Sequence, residues 1–168
     1  MIRMPNLQTD RWLIVDAEAP HRSNSKRFTI VPAGARKTLV PGQAVKVILE
    51  LSCACPEDRW ELLRIPIWLL VSERIANGTF FGLCCYGSQT LCPEAAFLQL
   101  GAEIPFKAEH VVEIRSPSAG YGNWIMGKKC SPWPRSDRLG SAITKTAAKA
   151  EVKLLKPSQI KCRCVQVD

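Results

Sequence analysis

Residues 44–51 place Val45, Val47, Leu49 and Leu51 at every second position, with Lys46, Ile48 and Glu50 between them. Side chains alternate across a strand and recur every three to four residues on a helix, so this period of two reads as a half-buried strand. Val45, Val47 and Ile48 add β-branched character. Pro41-Gly42 directly precedes the run, and that pair favours a tight turn because Pro presets φ and Gly accepts positive φ.

The rest of the stretch from Leu39 to Ile114 repeats this pattern. Residues 62–71 read as a second strand, in which Pro66 marks an edge or a bulge because it cannot donate to a ladder. Asn77-Gly78 is a strong hairpin signal and links residues 68–74 to 79–86 antiparallel. Residues 93–100 suggest a helical turn, Leu100-Gly101 a tight turn, and 103–106 and 110–114 two further strands. Residues 11–16 and 28–31 read as short strands, the latter ended by Pro32 and followed by a turn or short helical turn at 33–36. Hairpin after hairpin predicts a mainly β fold, a small antiparallel barrel or strongly bent sheet.

Beyond Arg115 the composition changes. Residues 116–122 are rich in Ser, Gly and Pro, so 116–140 reads as a long loop pinned by Trp124 and Trp133. Residues 141–156 suggest one short helix ended by Pro157, and 162–167 alternate like a final strand. The predicted organisation is a β-barrel-like domain over 1–115 and a basic C-terminal extension over 116–168 packed on it. The net charge of +8 is concentrated in that extension. Residues 1–115 hold 13 Lys/Arg against 12 Asp/Glu, whereas 116–168 hold 10 against 3. Such asymmetry suggests a polyanionic or acidic partner for the last third, against the plainer reading of a solvated tail.

The opening Met-Ile-Arg-Met-Pro-Asn-Leu-Gln has no sustained apolar stretch, and the longest apolar run, 65–71, is too short to span a bilayer. A cytoplasmic protein with reduced cysteines is the expectation, with no membrane partner. Cys53, Cys55, Cys162 and Cys164 are weak candidates for a zinc site. One intervening residue is tighter than the usual spacing, and on a strand it would separate two sulfurs by about 7 Å. Buried, inert thiols are the plainer reading, so no metal and no cofactor are expected. His21 and His110 are the available imidazole bases, and no nucleophile–base motif, phosphate loop or metalloprotease motif occurs. The chain is therefore not expected to be an enzyme. A nucleic-acid reading would use Lys128, Lys129, Arg135, Arg138, Lys145, Lys149, Lys153 and Lys156 as phosphate contacts and Tyr121, Trp124 and Trp133 as stacking faces. The plainer reading has Trp124 and Trp133 closing the barrel's end.

Residues 28–115 resemble a group of small bacterial domains of unknown function, the YegJ-like domain and a relative assigned to immunity proteins of polymorphic toxin systems. The positions that carry the resemblance are Phe28, Pro32, Leu39, Pro41, Gly42, Val45, Lys46, Trp68 and Val71, then Gly82, Leu83, Leu100, Gly101, Ile104, Phe106, His110 and Val111. The chain departs from the family at Gln43, where an acidic residue is usual. It also departs at Pro66-Ile67 and at Cys84-Cys85-Tyr86-Gly87-Ser88. What the resemblance implies is a non-enzymatic binding protein of the immunity or inhibitor type. A basic inhibitor suits an acidic protein partner better than a nuclease with a basic cleft. The alternative is a nucleic-acid-binding module built on the basic last third.

Overall fold

The computed structural model describes residues 2–19, 29–54, 60–75, 78–85 and 97–134. Its core is a six-stranded antiparallel sheet built from β1 (Trp12–Ile14), β2 (Ala44–Ala54), β3 (Trp60–Arg74), β4 (Thr79–Cys84), β5 (Glu103–Lys107) and β6 (Glu113–Arg115). Two short helices, α1 (Ala33–Lys37) and α2 (Ala119–Met126), accompany it. The sheet is a strongly curled half-barrel, which agrees with the mainly β, bent-sheet expectation.

The ribbon β2–β3 is the frame. Eleven pairs run from Ala44 opposite Leu70 to Ala54 opposite Trp60. The other edge of β2 is shared by two short strands. β1 covers Leu49–Leu51 and β6 covers Ala44–Lys46. Between them Val15 N–H donates to the Ile48 carbonyl and Val112 N–H to the Lys46 carbonyl. β4 pairs with β3 from Leu69 onward, and β5 pairs with β4.

The alternation in the sequence becomes the core. Val45, Val47, Leu49 and Leu51 are all fully buried, and Leu69, Val71, Phe80, Ile104 and Phe106 join them. Burying each such side chain contributes about 1.5–3 kcal/mol of transfer free energy. Packing is tight at Gly82, where a Cβ would come within 2.8 Å of Leu69 Cβ and 3.1 Å of Phe106 Cε1. The three turn glycines of the sequence, Gly42, Gly78 and Gly101, have positive φ (91°, 69° and 83°).

Pro66 lies where β3 has β2 on one side and, among the described residues, no strand on the other, so it marks an edge. The sheet's bulge is elsewhere, between Val71 and Glu73.

Three elements differ from the expectation. Thr29–Val31 is not a strand. Val31 N–H donates to the Val112 carbonyl, but Pro32 has no N–H to continue a ladder and α1 begins one residue later. His110 is in a one-turn 3-10 helix (Ala108–His110) rather than a strand, because its Nδ1 accepts the Lys107 N–H at 3.2 Å and closes the turn before β6. The region expected to be a long loop contains α2, which Ser118 caps by accepting the Tyr121 N–H.

Met1–Ser136 forms one compact unit, so α2 and Trp133 belong with the sheet rather than with the tail. The helix and final strand expected at 141–156 and 162–167 lie outside the described residues. Among the described residues no helix is long and apolar enough to cross a membrane.

Candidate functional site

Residues opposite one another in an antiparallel pair share a face. The register therefore sorts β2 and β3 into an inner face, which forms the core except at the exposed Glu61 and Leu63 near the start of β3, and an outer face. The outer face carries Lys46 opposite Trp68, Ile48 opposite Pro66, Glu50 opposite Arg64, Ser52 opposite Leu62 and Ala54 opposite Trp60. At one end α2 covers it, and Ile125 packs on Leu70 and Leu83 as a second small cluster. Along the rest of β3, Pro66, Leu62 and Trp60 are exposed, Leu62 at 62% and Trp60 at 53%. From Trp60 to Trp68 this stripe runs about 27 Å at the usual rise of a strand.

Charged pairs punctuate the stripe. Arg64 Nε donates to Glu50 at 2.6 Å. Lys46 Nζ donates to Glu113 Oε2 at 2.7 Å, and Arg115 Nε donates to Glu113 Oε1 at 2.7 Å. Hydrogen bonds from Lys46 and then Arg115 hold the Glu113 carboxyl below its ordinary range. The same two cations lie against the Trp68 ring, Lys46 Nζ 5.1 Å and Arg115 Cζ 4.9 Å from its centroid. Arg11 sits over Trp60 in the same way, at 4.6 Å.

Where β3, β6 and the start of α2 meet, a cavity of about 500 Å³ opens beside Trp68. Pro66, Ala44, Pro117, Tyr121 and Cys85 line it, with Arg115 at its wall. Burial pushes the Cys85 thiol up, against hydrogen bonds donated to it by Tyr121 and by the Leu70 backbone, so it is held as a neutral thiol rather than a nucleophilic thiolate. Burial and the neighbouring Cys85 raise the Tyr121 phenol as well.

The residues expected to form a basic, aromatic surface are placed differently from one another. Tyr121 and Trp124 are exposed on α2 with ring centroids 5.9 Å apart, and Lys128 Nζ is 5.8 Å from the Trp124 ring. Trp133 is withdrawn from any such surface. It is 3% exposed, its Nε1 donates to the Arg3 carbonyl at 2.7 Å, and Trp12 and Phe97 pack edge-on against it. Lys129 is committed to the buried Glu103 carboxylate at 2.9 Å. Arg135, Arg138, Lys145, Lys149, Lys153 and Lys156 lie outside the described residues.

Of the four candidate zinc thiols, Cys53 alone is described, and it packs against the core. Cys55, Cys162 and Cys164 lie outside the described residues. Among the described residues no group of three or more His, Cys, Asp or Glu is placed to hold a metal ion. Cys84 is a core residue, in keeping with an alternation that buries one of Cys84 and Cys85. His110 is buried and its pKa falls to about 4, chiefly by desolvation, so it is neutral with Nδ1 engaged. His21 lies outside the described residues.

The stripe Trp60–Leu62–Pro66–Trp68 was not singled out by the sequence. The available signal was the weak alternation of residues 60–68, legible only once their register against β2 is fixed. Comparisons with protein-family models, curated proteins and solved structures found no match to this chain.

Proposed function

We propose that this chain is a non-enzymatic binding protein, of the immunity or inhibitor type, that engages an acidic protein partner through the outer face of the β2–β3 ribbon. The observation that carries this reading is the exposure of Trp60 and Leu62 on the same sheet face as Pro66 and Trp68. Trp, Tyr and Arg dominate the energetics of protein interfaces, and this face combines Trp60, Trp68, Tyr121, Arg64 and Arg115. Exposed apolar side chains gathered on one sheet face, here on either side of Arg64, are a feature of interaction sites. The edge of β3 over residues 60–67, unpaired among the described strands, also offers main-chain groups for strand addition. The net charge of +8 favours encounter with an acidic partner. The resemblance over 28–115 supports the immunity or inhibitor class.

Affinity co-purification from the native host tests this with the wild-type chain and a Trp60→Ser/Leu62→Ser variant. A stoichiometric protein captured by the former and lost by the latter, at equal thermal stability, is the expected result. Equal capture by both would remove the ribbon face as the site.

The second reading, nucleic-acid binding, draws on Tyr121, Trp124 and Lys128 standing together on and just after α2. It predicts a nuclease-sensitive excess of absorbance at 260 nm in the same preparation, lost on charge reversal at Lys145, Lys149 and Lys153.

A further inference from the structure

We propose that the cavity beside Trp68 is the anchor point for the partner, taking an apolar or aromatic side chain whose neighbouring carboxylate pairs with Arg115. This rests on the protein-binding reading above and adds the chemistry of what is bound.

Shape and lining come first. At about 500 Å³ the cavity falls within the range of ligand pockets, and its walls are largely apolar: Pro66, Trp68, Ala44, Pro117 and the ring of Tyr121. An inserted side chain would therefore leave water for an apolar surround, with the Trp68 ring available for offset or edge-on aromatic contact.

Charge then selects what accompanies that side chain. Lys46 and Arg115 share the single carboxylate of Glu113, so two cations and one anion stand beside Trp68, with Arg115 in the cavity wall. Among the described residues the cluster carries one uncompensated positive charge. Arg115 is 65% exposed and uses Nε and Nη2 on Glu113, which leaves its third nitrogen for a further acceptor. A partner carboxylate would complete the set, and a guanidinium favours that planar group. A cationic ligand would meet two cations before reaching Glu113. A phosphate group by itself would satisfy the charge but would leave the apolar walls unfilled, whereas an apolar–acidic pair of protein residues fits both halves of the site.

The test uses the full chain and ¹H–¹⁵N NMR, with the Trp68 indole N–H assigned by its loss in Trp68→Phe. The probes are acetyl-Phe-Asp-amide, acetyl-Phe-Asn-amide, acetyl-Ala-Asp-amide and uridine monophosphate, each titrated to about 10 mM, where affinities of a few kcal/mol register. The Phe-Asp probe is expected to move the Trp68 signal at the lowest concentration. The Phe-Asn and Ala-Asp probes should each bind about fivefold more weakly, the scale of one exposed charge pair or less than one buried ring. Arg115→Gln, at an exposed position, should erase the difference between Phe-Asp and Phe-Asn. Equal affinity of those two probes for the wild-type chain would overturn the proposal. So would absence of any Trp68 shift, or tighter binding by uridine monophosphate. If the dipeptides fail while Trp60→Ser/Leu62→Ser still abolishes capture, the anchor falls and the binding face stands. If capture also survives that double substitution, both fall.

Discussion

The two faces of the β2–β3 ribbon are made by neighbouring residues and behave as different materials. On the inner face Val45, Val47, Leu49 and Leu51 are at most 1% exposed. One residue away on the outer face stand Lys46, Ile48 and Glu50, opposite Trp68, Pro66 and Arg64. The inner face is closed by β4, β5 and the aromatic group of Trp12, Phe97 and Trp133. The outer face is closed by α2 at one end and carries exposed Trp60 and Leu62 at the other. The buried core and the proposed recognition surface are thus separated by side-chain direction rather than by distance along the chain. A single strand serves both, and a slip of one residue in register would exchange them.

That separation can be broken experimentally. The largest effect is expected in the inner core. Phe80 is fully buried and stacks on Phe106 at 5.4 Å, so Phe80→Ala should cost about 3–5 kcal/mol in urea unfolding. Acidification comes next. His110 is neutral in the fold with a pKa near 4, against 6.5 when unfolded, so the unfolded chain binds the proton first. Its contribution is complete above pH 6.5 and is lost as pH falls toward 4, by up to about 3 kcal/mol. Unfolding midpoints measured across that window should show a slope that His110→Gln reduces; an unchanged slope would assign it to other groups.

The outer face should respond far less. Leu62→Ser should change stability by no more than about 0.5 kcal/mol, since the side chain is already in water. A loss comparable to that of Phe80→Ala would mean that the two faces are not energetically distinct. The smallest effect belongs to Glu113, whose carboxyl is held down by Lys46 and Arg115. Its contribution is present above about pH 4.5 and disappears as pH falls through the depressed value. Because these ion pairs lie at the surface, Glu113→Gln should lower the midpoint at pH 7 only slightly while sharpening the response of the Trp68 indole signal to added carboxylate.

Much of the sheet was legible because its signals are local. Pro41-Gly42 and Asn77-Gly78 announce their turns through backbone preference, and the alternation from Val45 to Leu51 announces a strand with one buried face. What escaped depends on distant partners. Trp133 reads as an available aromatic until it is seen donating to the carbonyl of Arg3, 130 residues earlier. Lys129 reads as a free cation until β5 brings Glu103 to it. α2 was obscured by Gly120 and Gly122, which are poor helix formers, although Ser118 offered a capping signal. The candidate surface was hidden for a different reason. Leu62 and Trp60 look like core residues in any apolar strand, and only their pairing with Ser52 and Ala54 turns them outward.

The divided edge of β2 has a consequence in time. During synthesis the β2–β3 hairpin can close once Arg74 has left the ribosome, but β6 does not exist until Arg115 follows. For about 40 residues of translation, roughly 2–8 s at 5–20 residues per second, the Ala44–Lys46 end of β2 waits with its main-chain groups unpaired. The nascent chain is thus most open to wrong pairing with a neighbouring polypeptide in that interval, before the last short strand seals it.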